Sequence, residues 1–221
     1  MLMFKWCCYT QLNKSHMLLF RYTFIVLCIS LFSCKNNMVE TLDEKGNVTE
    51  KYSVDKDNKR HGLFSAYDST GGLSETAEYT NGKLNGERKI YYTKGEVEII
   101  EHYKNGIIEG QYSVLYPNGQ VKFETTYTAG AMNSIAKSYT LNGTLKEEVT
   151  FANNEENGPF TEYYDNGNKE WEGTYLNGDN EFGLLKNYNE SGELVKKMMC
   201  DSMAICRTIW TLADGDITPK Y

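Results

Sequence analysis

The segment Gln111-Tyr112-Ser113-Val114-Leu115-Tyr116-Pro117-Asn118-Gly119-Gln120-Val121-Lys122-Phe123-Glu124-Thr125-Thr126-Tyr127 reads as two β-strands joined by a tight turn. Aromatic and β-branched residues fill both flanks, a composition that suits a pleated, half-buried surface. Pro117 suits the first central position of a type I turn, where φ sits at about −65°. Asn118 suits the second, and Gly119 takes the left-handed backbone that closes a short hairpin loop with a bulge.

Working outward, the same pattern recurs. Gly62, Gly86, Gly110, Ser134 and Gly158 lie 24 residues apart, and Gly183 follows after 25. Five residues after each lies Tyr67, Tyr91, Leu115, Tyr139, Tyr163 or Tyr188. Nine residues after each lies Gly71, Gly95, Gly119, Gly143, Gly167 or Gly192. Seventeen residues after each lies Tyr79, Tyr103, Tyr127, Phe151, Tyr175 or Cys200. A fixed period of this kind marks a repeat architecture. A second turn follows the aromatic at Asn81-Gly82, Asn105-Gly106 and Asn177-Gly178, and lapses at Ala129-Gly130 and Asn153-Asn154. Gly46 with Val48 suggests a preceding half-unit, and Gly215 with Ile217 a truncated one at the end.

The turn sets the register. Tyr67 faces Leu73, Tyr91 faces Val97, Leu115 faces Val121, Tyr139 faces Leu145 and Tyr188 faces Leu194, with Tyr163 against Lys169 as the exception. Side chains alternate between faces of a strand. One face is therefore expected to carry Tyr67, Tyr91, Tyr139, Tyr163 and Tyr188 together with Tyr79, Tyr103, Tyr127 and Tyr175. The other is expected to carry charges such as Lys122, Glu124, Lys146, Glu148, Glu170 and Glu172. The tyrosine ladder reads either as purely structural or as an aromatic strip that binds a protein or a glycan.

The pattern of Tyr-x-x-Asn-Gly followed by a strand ending Tyr-x-Asn-Gly resembles the MORN repeat, and more narrowly its variant in bacterial envelope lipoproteins and YwqK-type antitoxins. Tyr116-Pro117-Asn118-Gly119-Gln120 and Tyr163-Tyr164-Asp165-Asn166-Gly167 carry the resemblance. It implies a scaffold fold and says little about activity.

The N-terminal region has a different character. Residues 1–34 hold Lys5, Lys14 and Arg21 and no acid, whereas the rest holds the other 20 of 23 bases against all 30 acids, a net of −10. An acidic body disfavours nucleic acid and anionic lipid headgroups as electrostatic partners. The apolar run Tyr22 to Ser33 behind Arg21 is too short to span a bilayer, which takes roughly 20 residues, and has the form of a secretory signal. Its end, Leu31-Phe32-Ser33-Cys34, resembles the lipobox of bacterial lipoproteins, although Phe32 is unusual there. That resemblance implies cleavage before Cys34 and lipid on its thiol; an uncleaved signal anchor and a free cysteine in an ordinary signal peptide are the other readings. Lys35 in place of an aspartate points to an outer membrane.

Little else suggests chemistry. His61 and His102 have no ligand-spaced neighbours, and no catalytic Ser, P-loop or Cys-x-x-Cys motif occurs. The acids suit a solvated sheet face, and the run Asp179-Asn180-Glu181 reads as a polar turn before a weak calcium loop. No enzyme, metal or cofactor is expected. Beyond Cys34 only Cys200 and Cys206 remain, and a spaced pair in an exported chain reads as a disulfide across a hairpin loop.

The expected fold is all-β: an elongated single-layer antiparallel meander of about thirteen strands, extending roughly 58 Å at ~4.8 Å per strand. The expected organisation is a signal peptide over 1–33, with 1–16 surplus to a start at Met17, and a lipidated tether over 34–42. A degenerate half-repeat follows over 43–61, six hairpin repeats over 62–206, and a truncated repeat over 207–221. The expected function is a non-catalytic envelope scaffold, lipid-anchored through Cys34, that binds a protein or cell-surface ligand. An immunity-type lipoprotein that neutralises a toxin is the alternative.

Overall fold

Two kinds of turn divide the chain into strands. The computed structural model describes residues 37–219. At the first kind, a loop such as Tyr116 to Gln120 closes with Gly119 N–H on the Tyr116 carbonyl at 2.8 Å and Tyr116 N–H on the Gln120 carbonyl at 2.8 Å. Gly119 stands at φ 82°, the left-handed backbone the loop requires. At the second kind both central residues are left-handed: Asn81 and Gly82 have φ 52° and 81°, Asn105 and Gly106 54° and 85°. This is the type I′ turn, whose twist matches that of the strands it joins. The turns at Ala129-Gly130 and Asn153-Asn154 keep the same backbone, with Ala129 at φ 51° and Asn154 at φ 70°.

The strands are β1 (Asn37–Leu42), β2 (Val48–Val54), β3 (Arg60–Tyr67), β4 (Leu73–Thr80), β5 (Lys83–Tyr91) and β6 (Val97–Lys104). Next come β7 (Ile107–Ile108), β8 (Gly110–Leu115), β9 (Val121–Thr128), β10 (Ala131–Met132), β11 (Ile135–Tyr139) and β12 (Leu145–Ala152). The last are β13 (Glu155–Tyr163), β14 (Lys169–Tyr175), β15 (Gly183–Tyr188), β16 (Leu194–Cys200), β17 (Cys206–Thr211) and β18 (Gly215–Asp216). Strands that follow one another pair antiparallel, apart from β7 with β8 and β10 with β11, so the 18 strands form one open meander. The count exceeds thirteen partly because short interruptions split single strands: β7 and β8 both lie against β6, and β10 and β11 both lie against β9.

The expected register is present in every unit. Tyr67 faces Leu73, Tyr91 faces Val97, Leu115 faces Val121, Tyr139 faces Leu145, Tyr163 faces Lys169 and Tyr188 faces Leu194. One step further the register slips: Ala66 faces Glu75, so Leu73 and Ser74 together oppose Tyr67. This bulge inserts one residue per hairpin and re-aims the side chains around it.

The sheet also begins earlier than the sequence reading placed it. The segment 34–42, expected as a tether, is strand from Asn37 onward, since β1 pairs with β2. The reason lies in the turn. Asp43 accepts from the Lys45 and Asn47 amides at 2.8 Å each, the same side-chain closure that Asp68 gives Thr70 and Gly72.

Core burial is thin. Phe64, Ala77, Ala136, Val149, Phe160 and Leu185 are buried, and they follow one row across the sheet. Within a row the side chains cover one another. Phe160 and Leu185 meet over Gly173, where a β-carbon would come within 2.7 Å of the Phe160 ring. A disulfide joins Cys200 and Cys206, which face each other across β16 and β17.

Candidate functional site

The bulge separates the two tyrosine series that the sequence reading placed on one face. Tyr139 donates to Glu124 at 2.7 Å, Tyr163 to Glu148 at 2.9 Å and Tyr188 to Glu172 at 2.8 Å, while the Tyr91 hydroxyl bonds that of Thr76 at 3.1 Å. Those partners belong to the charged face, which also holds the Lys137–Glu148 pair at 2.9 Å and the Lys186–Glu172 pair at 2.7 Å. Tyr67, in the same register, belongs there too. The second series, Tyr79, Tyr103, Tyr127 and Tyr175, lies on the opposite, aromatic face. Tyr79 packs on Phe64, Tyr127 on Tyr112 and Tyr175 on Phe160, with centroids 5.8, 5.7 and 4.1 Å apart, and Tyr103 donates to Glu101 at 3.1 Å. A strict two-residue alternation joins the two series; the extra residue at each bulge reverses the relation.

A third tyrosine series went unread at the sequence level. Tyr92 donates to the Leu115 carbonyl at 2.8 Å, Tyr116 to that of Tyr139 at 2.9 Å and Tyr164 to that of Tyr188 at 2.8 Å. Each ties one turn to the next unit, and the signal was a tyrosine directly after the fifth position. The turns along the other edge are tied likewise, four of them type I′ and the one at Asn177-Gly178 a three-residue loop closed by Leu176 N–H on the Asn180 carbonyl at 2.9 Å. Gly82 N–H donates to the Arg60 carbonyl, Gly106 to Leu84, Gly130 to Ile108, Asn154 to Met132 and Gly178 to Glu156, all at 2.7–3.1 Å.

The aromatic face carries half-buried charge in its N-terminal half. Arg88 bonds Glu75 and Glu101, each at 2.8 Å, within the row that elsewhere holds Phe64, Tyr112 and Phe160. Arg60 bonds Glu50 at 2.9 Å. In the C-terminal half a hollow of about 440 Å³ opens on this face, floored by Phe160, Leu185 and Met198 and walled by Trp171 and Tyr175. Glu162 and Glu181 also line it. Burial, then repulsion from Glu147, Glu170 and Glu181, pushes the Glu162 carboxyl above the usual range. Burial and the nearby Glu147 and Asp179 do the same to Glu156. The Tyr175 hydroxyl is raised first by burial and then by Glu162, Glu156, Glu147 and Glu181.

A second hollow, of about 480 Å³, lies by Lys146, Tyr163, Tyr164 and Glu190. Among the described residues no group of His, Cys, Asp and Glu is arranged to hold a metal ion. Asn180 of the run 179–181 instead donates to the Asn177 carbonyl at 3.0 Å, closing a polar turn. His102 Nδ1 lies 2.9 Å from the Gln111 carbonyl, and His61 Nδ1 lies 3.5 Å from the Asn81 amide. Cys34 lies outside the described residues.

Comparison with known proteins agrees with this plan. The family model described as MORN repeat variant matches residues 84–105, 108–129, 132–153 and 156–177, in steps of 24. No curated protein matches the chain. Among solved structures, a point mutant of S. aureus TarM in complex with fondaparinux, alpha-GlcNAc-glycerol and UDP is similar at 12% identity, covering 56% of this chain and 21% of that one. Its TM-score is 0.27, so the likeness carries no argument about fold or function. The period, the paired turns and the family match converge: over residues 84–177 the chain is a tandem array of four units of the MORN repeat variant family.

Proposed function

We propose that this protein is a non-catalytic repeat scaffold, anchored to the cell envelope by lipid on Cys34, whose aromatic face holds a protein ligand. The coarser part, a repeat scaffold, accords with the MORN repeats themselves. The observation that carries the binding role is the aromatic face of the C-terminal half. Phe160, Tyr175, Trp171, Leu185 and Met198 line an open hollow there, and the described residues form only one layer of sheet. Clustered aromatic surface of this kind marks interaction sites. On the charged face the tyrosine hydroxyls of Tyr139, Tyr163 and Tyr188 are engaged by carboxylates, which suits a structural role. The membrane attachment rests on Leu31-Phe32-Ser33-Cys34 behind a short apolar run.

Two measurements test this reading. Cys34→Ser is expected to move the protein from the membrane to the soluble fraction, since stable anchoring takes more than one acyl chain and this thiol carries the attachment. Unchanged membrane association refutes the anchor. Full-length protein used as bait in envelope extract is expected to retain a protein partner that Trp171→Ser loses and Tyr139→Phe keeps, once both variants are shown to be folded. The reverse pattern refutes the aromatic face as the binding surface, and recovery of a toxin redirects the reading to an immunity protein.

A further inference from the structure

The array contains a cation cage made from its own residues. The Arg60 guanidinium lies 4.6 Å from the ring centroids of Tyr52 and Phe64 and 5.6 Å from that of Tyr79. Glu50 holds it at 2.9 Å. Ring faces and a carboxylate together attract a cation more strongly than either alone.

Hydrogen bonding shows which residues take these places in the fifth unit. The Arg60 carbonyl accepts from Gly82 of a type I′ turn, and the Glu156 carbonyl accepts from Gly178 in the same way. Phe64 faces Ala77 and Gly62 faces Tyr79; Phe160 faces Gly173 and Gly158 faces Tyr175. Glu50 faces Ala66, and Glu147 faces Glu162. The fifth unit therefore keeps two of the three rings, with Val149 in the place of Tyr52, keeps the acceptor carboxylate, and replaces the guanidinium with the carboxylate of Glu156. In the units between, this place is held by Leu84, Ile108 and Met132. Glu181 pairs with Tyr175 as Leu84 pairs with Tyr79, so the acid occurs twice in succession.

Charge points the same way. Glu50, Glu75 and Glu101 on this face are each paired with Arg60 or Arg88. Glu147, Glu156, Glu162 and Glu181 are half-buried, and among the described residues none of them forms an ion pair. Burial first, and the neighbouring acids after it, raise the carboxyls of Glu156 and Glu162. Lys196 is the base that lines the hollow, and its ammonium lies 5.9 Å from the Trp171 ring.

We infer that this aromatic hollow, lined by Glu162 and Glu181 with Glu156 and Glu147 beside Tyr175, receives an arginine side chain from a basic segment of a protein partner, the guanidinium stacking on Phe160 and Tyr175 as Arg60 does on Phe64 and Tyr79. Arginine fits better than lysine because its planar group stacks on rings while bonding carboxylates. The assignment rests on the scaffold reading above and names the chemistry of its ligand.

The test is fluorescence anisotropy with the purified full-length chain in detergent and a labelled peptide of alternating arginine and glycine. Its citrulline counterpart, which has the same shape without the charge, is the control. Glu156→Arg restores the internal cation and is expected to weaken binding by about tenfold or more. Glu96→Arg makes the same charge change on an exposed turn and is expected to weaken it less than about twofold. Glu162→Gln, milder for the fold, is expected to weaken it measurably. Equal losses with Glu156→Arg and Glu96→Arg, or equal binding of the citrulline peptide, overturn the assignment. If no variant or parent binds the arginine peptide while an envelope partner still needs Trp171, the scaffold reading stands and this site falls.

Discussion

Ala129 occupies a place that Asn81, Asn105 and Asn153 hold in the other type I′ turns, and it does so at φ 51°. Left-handed backbone costs an L-residue with a β-carbon about 1–2 kcal/mol, and asparagine tolerates it better. Ala129 is exposed, so a larger side chain meets no packing limit. Ala129→Asn is expected to raise stability by about 0.5–1 kcal/mol, read as a higher urea midpoint at unchanged slope. Glu172 shows the electrostatic side of the residue scale. Lys169 at 2.6 Å, Lys186 at 2.7 Å and the Tyr188 hydroxyl at 2.8 Å hold its carboxyl down to about 2. A carboxyl lowered on folding stabilises the fold above its unfolded value and loses that contribution as pH falls toward the folded one. Glu172→Gln should therefore cost about 1 kcal/mol at neutral pH, the scale of a partly exposed pair. Thermal unfolding should show the cost shrinking from pH 4.5 toward pH 2, and a constant cost across that range refutes the account. Glu162 has the opposite sign: its carboxyl is raised, so Glu162→Gln should stabilise at neutral pH and lose that gain in acid.

The hairpin is the element from which everything is built, and most of it is legible in the residues. Turn glycines, the period and the facing pairs of the fifth and eleventh positions follow from local backbone chemistry, which acts within a few residues. The bulge is different. Its extra residue sits between Leu73 and Glu75, where no glycine or proline marks it, and it moves one tyrosine series to the other face. Packing across the row also escapes local reading. Gly173 has no turn to make; its missing side chain lets Phe160 and Leu185 close over the strand. An alanine there would press its methyl into both side chains. Gly173→Ala is expected to destabilise by about 1–3 kcal/mol, checked by thermal unfolding, because a packed row cannot absorb a methyl without moving its neighbours. A neutral effect would show that the ring pair has slack.

At the scale of the whole described sheet, each hairpin is held mainly by the hairpins beside it. Tyr92, Tyr116 and Tyr164 tie one edge and the type I′ amides tie the other, so neighbouring units share backbone acceptors. Stability in such an array is close to a sum of unit and interface contributions, and end units are the weakest. The Cys200–Cys206 disulfide closes the hairpin of β16 and β17 near one end. Reducing it should speed amide exchange from β15 to β18 while leaving β5 to β13 unchanged. Uniform loss of protection would show that the sheet unfolds as one cooperative body.

The sequence by itself determined the period, the antiparallel hairpins, their register and the cysteine pair. These depend on turn residues and on spacing along the chain, both local properties. Only the tertiary structure decided which tyrosines share a face, because the bulge beside each hairpin loop overrides strict alternation. It alone brought Glu147, Glu156, Glu162 and Glu181 around Phe160 and Tyr175. These residues are separated along the chain by turns, and they meet only because successive units stack at a fixed step and place equivalent positions side by side.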